Sequence, residues 1–343
     1  MGRRFLILIT LLALAPAAVA LGARPASTSW AQPQIVAVTK AGILGSDPST
    51  FRPDDPLTQS AAATLVSALM HKQLIPPAKP TATVTMAGLD SKLVNALGLA
   101  DSGRSFAAGA RSAGLKPPSR FGTEVVARLL GLRTNHPASQ DALELRPTDP
   151  ATRAEAAFSA AQILRFRGWE AQRTLDSAAT FAPPPLDDWQ RQILQTAISL
   201  IGYPYVWGGE SETTSSLYGP QVRGGFDCSG FVWRVYKLQA YAGAEQLAGT
   251  LRGRTTYQMS GEVPRSLRIP FAKLAPADVL FWGTHGARSK PAEVDHMGIY
   301  LGSGWFIHSS GNGVAIEPLS GWYRTRFAWA RRPLAEAGLV PQV

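Results

Sequence analysis

Three consecutive prolines, Pro183, Pro184 and Pro185, fall near the middle of this 343-residue chain. No helix or strand ladder runs through such a run. The surrounding stretch TLDSAATFAPPPLDD (174–188) therefore predicts an extended, stiff spacer. Composition changes across it: Ala- and Leu-rich segments that read as helical precede it, and Gly, Trp, Tyr and alternating strand patterns follow. The length suits two domains, and an apolar fraction of 45% is enough for two cores. The expected borders are a helical domain over 33–173, the spacer over 174–188, and an α+β domain over 189–335.

The first 20 residues, MGRRFLILITLLALAPAAVA, carry a basic start at Arg3 and Arg4 and an apolar run over 5–15 that is too short to span a bilayer. Ala18-Val19-Ala20 then fits a small-residue cleavage site, the pattern of a cleaved secretory signal peptide. The expectation is a secreted protein, associated with the cell wall and without stable membrane insertion. The net charge of +10 suits anionic surfaces such as wall polymers. No basic cluster interleaved with aromatics is found, so nucleic acid is not an expected partner. Cys228 is the only cysteine, which excludes an internal disulfide. In an exported chain an unpaired cysteine is a reactive thiol, a site of intermolecular pairing, or a small buried hydrophobe.

The helical half holds a weak repeat. Residues 37–69 and 129–164 share the order short helix, Gly-containing turn, Pro/Asp loop, second helix, and 107–132 reads as a shorter copy. Thr152 to Glu155, TRAE, matches a capping box, in which hydroxyl and carboxylate each satisfy an orphan backbone N–H. These residues resemble S-layer homology repeats. That resemblance implies attachment to anionic wall polysaccharide through the TRAE arginine, here Arg153. With Thr58, Phe121 and Thr152 as matching positions, the other two copies have Gln59 and Gly122 in its place. A degenerate helical spacer is the other reading.

In the second half, residues 189–201 place Ile193, Leu194, Ala197, Ile198 and Ile201 on one helical stripe. From Phe231 the apolar spacing is again helical, with Asp227 as the cap, so Cys228 falls in a first helical turn. Helix-start N–H groups favour a thiolate there, and the expectation is a lowered thiol pKa. A nucleophilic thiol needs a base and an orienting group. In DHMGIYLGSGWFIHSSG (295–311) two strand-like runs flank Gly302-Ser303-Gly304, a hairpin signal. A three-residue loop pairs Leu301 with Trp305 and sets Gly298 opposite His308. His296 and His308 then share a face as diagonal neighbours, roughly 7–8 Å apart. A two-residue loop would separate them.

At these residues the sequence resembles the NlpC-type family of bacterial cell-wall cysteine peptidases. The motifs GYPYVWGG, FDCSGFV, PADVLFW, DHMGIYLG and FIHSSG occur in order over about 190–332. The resemblance implies a papain-like catalytic domain, a Cys-bearing helix packed on an antiparallel sheet of five strands. It implies Cys228 as nucleophile, His296 as base and His308 as the third polar residue. Tyr205 matches a tyrosine facing the thiol, and Asp227 and Ser229 match positions that help hold the stem peptide's amino end. The implied activity is a peptidoglycan endopeptidase that hydrolyses the γ-D-glutamyl to diamino-acid bond of stem peptides. An N-acetylmuramoyl-L-alanine amidase of related fold, and a catalytically idle wall-binding protein, are the alternatives. No cofactor or metal is called for, since zinc wants closely spaced ligand pairs that are missing here. The stretch 210–223 is longer than the family's usual connection and borders the cleft.

Overall fold

The computed structural model describes residues 29–341; the signal-type segment 1–20 lies outside them. The first half is helical: α1 Gln32–Lys40, α2 Gln59–Met70, α3 Met86–Ala96, α4 Ala100–Ser112, α5 Phe121–Leu129, α6 Arg153–Ile163 and α7 Trp169–Thr180.

Three of these helices begin alike. Thr58, Thr85 and Thr152 are extended N-caps whose hydroxyls accept from the N–H of Ala61, Gly88 and Glu155. The residues just before them close a ring of backbone bonds: Leu57 N–H to Ala151 O (2.7 Å), Ala151 N–H to Val84 O (2.8 Å) and Val84 N–H to Leu57 O (2.9 Å). The first N–H groups of each helix, orphans in an isolated helix, donate to the loop of a neighbouring copy. Arg153 donates to Asp55 O, Gln59 to Ala82 O and Met86 to Asp149 O.

This three-way closure corrects the expected middle copy. Its matching position is Thr85 in KPTATVTMAG, not Phe121, and Met86 rather than Gly122 stands where Arg153 stands. Gly122 instead permits the close crossing of α4 and α5, because a Cβ there would lie 2.0 Å from Gly103 O.

The expected spacer is only partly extended. Residues 174–180 finish α7, and α8 (Asp188–Ser199) starts from a capping box made by Asp187 and Gln190. Between them Phe181 and Leu186 are buried. Phe181 packs edge-on against Trp305 at 5.3 Å and in a tilted arrangement against Phe106 of α4 at 5.2 Å. Apolar side chains in this stretch make it a joint between the halves rather than a solvated rod.

Beyond it come β1 Glu210–Ser211, β2 Gly225–Phe226, α9 Cys228–Trp233, α10 Leu247–Thr250, α11 Thr256–Gly261, β3 Val279–Gly283, β4 Val294–Gly302, β5 Trp305–Ser310, β6 Gly313–Pro318, α12 Gly321–Arg326 and β7 Phe327–Arg331. The main sheet is antiparallel in the order β6-β5-β4-β3-β7, with α9 against β4 and β5. This is the expected α+β arrangement of a helical first half followed by a Cys-bearing helix on a five-stranded antiparallel sheet.

Candidate active site

Asp227 caps α9 by accepting from Gly230 N–H, which puts Cys228 at the first helical position. The close approach depends on Gly230, because a Cβ there would sit 1.8 Å from Gly209 O. The thiol is buried, 9% exposed, and the backbone N–H groups of Met297 and Ser229 point at it. Met297 follows His296 on β4, so the sulfur lies against the strand that bears the expected base.

The hairpin reaches the expected register by an unexpected route. Gly302, not Leu301, pairs with Trp305, leaving a two-residue turn, and Leu301 is the extra residue of a bulge. The bulge absorbs the one-residue slip, so Tyr300 still pairs with Phe306 and Ile299 with Ile307. His296 and His308 therefore share a face, and His296 Nε2 lies 2.7 Å from His308 Nδ1.

The electrostatics depart from expectation. Burial, followed by the Asp227 carboxylate, pushes the Cys228 thiol up to about 12, against the lowering pull of the Met297 and Ser229 N–H groups and of Arg254. The short, six-residue α9 is outweighed by desolvation. Burial, with the charges of His308 and Arg326, holds the His296 imidazole well below its ordinary value. Each of the two groups therefore favours its neutral form. Tyr205 is half-buried, and burial, followed by the charges of Cys228, Asp227 and Asp141, raises its hydroxyl pKa.

Asp227 and Ser229 sit next to the thiol and are tied to each other, Ser229 Oγ donating to Asp227 Oδ1 at 2.9 Å. Residues 202–332 match the model of the NlpC/P60 family. The C-terminal domain belongs to the NlpC/P60 family. Residues 25–63 match the S-layer homology domain, which covers the first of the three helical copies.

Among curated relatives, the chain is similar to the probable peptidoglycan endopeptidase LytE of Bacillus subtilis, 35% identical over 142 residues, 41% of this chain and 34% of that protein. It is similar to the gamma-D-glutamyl-L-lysine dipeptidyl-peptidase of the same organism, 29% identical over 133 residues, 37% of this chain and 34% of that one. Murein DD-endopeptidase MepH of Escherichia coli is 32% identical over 135 residues, 38% of this chain and 41% of that protein. The match thus spans about a third of the first two relatives' length.

Several residues of the NlpC/P60 site carry no motif signal. Arg254 donates to Asp227 Oδ1 (3.2 Å), Ser229 Oγ (2.7 Å) and the buried Glu210 Oε2 (3.0 Å). Glu317 on β6 lies 3.5 Å from His308 Nε2. Strand register alone finds it: His308 pairs with Ala315, which makes Glu317 a diagonal neighbour on the same face. The repeat half also reaches the rim of the NlpC/P60 domain. Asp141, in the turn Ala138–Leu143, accepts from Trp207 N–H at 3.2 Å, and Arg223 of the 210–223 stretch donates to Ala142 O at 3.0 Å. Arg153 donates to Phe51 O and Leu44 O and stacks over the Phe51 ring, so its guanidinium braces the first copy's loop.

Proposed function

We propose that the chain is an extracytoplasmic, wall-associated peptidoglycan hydrolase, a thiol-dependent endopeptidase cleaving the γ-D-glutamyl to diamino-acid bond of stem peptides. The observation that carries this reading is the buried Cys228 thiol at a capped helix start, against the strand whose His296 is hydrogen-bonded to His308. The names of the relatives and the order of the five motifs support it.

Cys228 Sγ attacks the γ-carbonyl carbon as the thiol proton passes to His296. Because burial keeps both groups neutral at rest, proton transfer accompanies attack rather than preceding it. Backbone N–H groups at the start of α9, with the Tyr205 hydroxyl, meet the developing oxyanion. His296 then gives its proton to the leaving amine, takes one from water, and the thioester is hydrolysed. Asp227 and Ser229 hold the peptide's amino end. The three-copy helical domain keeps the enzyme on the wall, with anionic polysaccharide as second partner. Arg153 is the single cationic residue at the three matching positions, since Gln59 and Met86 hold the others.

Digestion of purified peptidoglycan followed by mass analysis tests the reading. The native chain is expected to release fragments that leave L-Ala-D-Glu on the sugar, and Cys228→Ala to release none. Products that have lost L-Ala-D-Glu from the sugar would assign an amidase instead. Undiminished release by Cys228→Ala would remove the thiol from the mechanism.

A further inference from the structure

Beyond the two histidines the polar chain continues. His308 is fully buried, its Nδ1 is taken by His296, and its Nε2 makes no close hydrogen bond among the described residues, with Glu317 Oε1 lying 3.5 Å away. Tyr323 of α12 packs edge-on against the His308 ring at 5.4 Å, and its hydroxyl acts on the same carboxylate, lowering its pKa. Glu317 and Tyr323 both line an open groove of about 800 Å³ between α7 and the β6–α12 edge, so the outer end of the chain reaches solvent. Arg173, on the groove's far wall, is the other charge facing Glu317.

We propose that Glu317 is a positioning residue that fixes the proton arrangement of both imidazoles and, through them, the basicity of the base paired with Cys228. This rests on the catalytic reading above. A carboxylate only accepts, so it places a proton on His308 Nε2. With its proton on Nε2 and none on Nδ1, His308 can only accept there, from His296 Nε2–H. That leaves Nδ1 of His296 as its bare nitrogen, the one able to take the thiol proton. The negative charge at the far end also stabilises the imidazolium that forms when the proton moves. Burial alone would oppose ionisation of Glu317, but the neighbouring His308 and Tyr323 outweigh it and hold its pKa below the usual carboxylate value, so it is charged at neutral pH.

Cys228 is the only thiol, so alkylation of the full-length chain by iodoacetamide reads its reactivity without any wall substrate. The native protein is expected to show a neutral-pH plateau in alkylation rate, set by the fraction of thiol whose proton has moved to His296. Glu317→Gln keeps the size and can still hydrogen-bond, but loses the charge. Its plateau should fall by about tenfold, equivalent to about one pKa unit on the imidazole, with the thermal midpoint unchanged. Tyr323→Phe should lower the plateau in the same direction and by less. In stem-peptide cleavage, kcat of Glu317→Gln should fall with KM unchanged. A Glu317→Gln alkylation profile that superimposes on the native one overturns the proposal. So does a plateau that drops only in step with a lost thermal midpoint while Tyr323→Phe stays native. A native chain that alkylates as expected but releases no peptide would instead sink the hydrolase reading and leave this one standing.

Discussion

Arg254 donates to Glu210, Asp227, Ser229 and the carbonyls of Gly208 and Gly209, and so ties the YPYVWGG segment to the cap of α9. Glu210 is 1% exposed at its side chain, so removing the arginine leaves a buried carboxylate without a cation. Arg254→Met should cost about 3–5 kcal/mol, the range for breaking a buried pair from one side. Urea unfolding measures it, and a loss below about 1 kcal/mol would show that the pair is solvated. Nothing in the sequence marks this arginine, because its importance lies in what surrounds it after folding. The placement of Cys228 at a helix start and of His296 and His308 on one strand face was legible because helical spacing, a cap and a hairpin each act over a few residues. The thiol's proton affinity was not. A helix start lowers it and burial raises it, and only packing tells which prevails.

At the scale of elements, β4 and β5 show how a turn and a bulge together set a site. The strand pattern predicts the hairpin and the facing histidines, yet the loop is one residue shorter than expected, and only the bulge at Leu301 keeps the imidazoles on one face. Gly298 guards the same pairing. A Cβ there would meet Ile307 O at 2.9 Å and His308 Cβ at 3.0 Å, neither of which can swing aside. Gly298→Ala should therefore part the strands where the imidazoles meet. The expected outcome is a loss of about 1–3 kcal/mol, the scale of overpacking, with a fall in kcat larger than any change in KM. Native kcat in this variant would mean that the strands tolerate the extra methyl. The helical copies offer the opposite lesson. Their capping threonines are local and readable, but the choice between Thr85 and Phe121 rests on a closed ring of bonds between residues up to 94 positions apart, from Leu57 to Ala151.

Over the whole molecule the two halves share a buried polar seam. Arg128 donates to Gly202 O at 2.9 Å, and Arg120 reaches Ile201 O at 3.1 Å. Around them lie Asp90, Glu124, Arg133, His136, Glu144 and Glu155, all buried, with more carboxylates than guanidinium groups. Burial raises Asp90 to about 7 and Glu144 to about 8, against the pull of Arg133 on the first and of the His136 N–H on the second. A carboxyl whose folded pKa lies above its unfolded value of about 4 contributes stability that is complete below that value and is lost as pH rises through the folded pKa. Asp90 and Glu144 should thus weaken the fold as pH rises from about 4 toward 8, each adding a slope of up to about 1.4 kcal/mol per pH unit. Glu144→Gln keeps the acceptor for His136 N–H and removes the ionisation. Its unfolding free energy, measured by urea titration across that window, should fall less steeply than that of the native chain and exceed it near pH 8. Parallel slopes in the two proteins would mean that Glu144 reaches solvent and that the seam between the halves opens more readily than its packing implies.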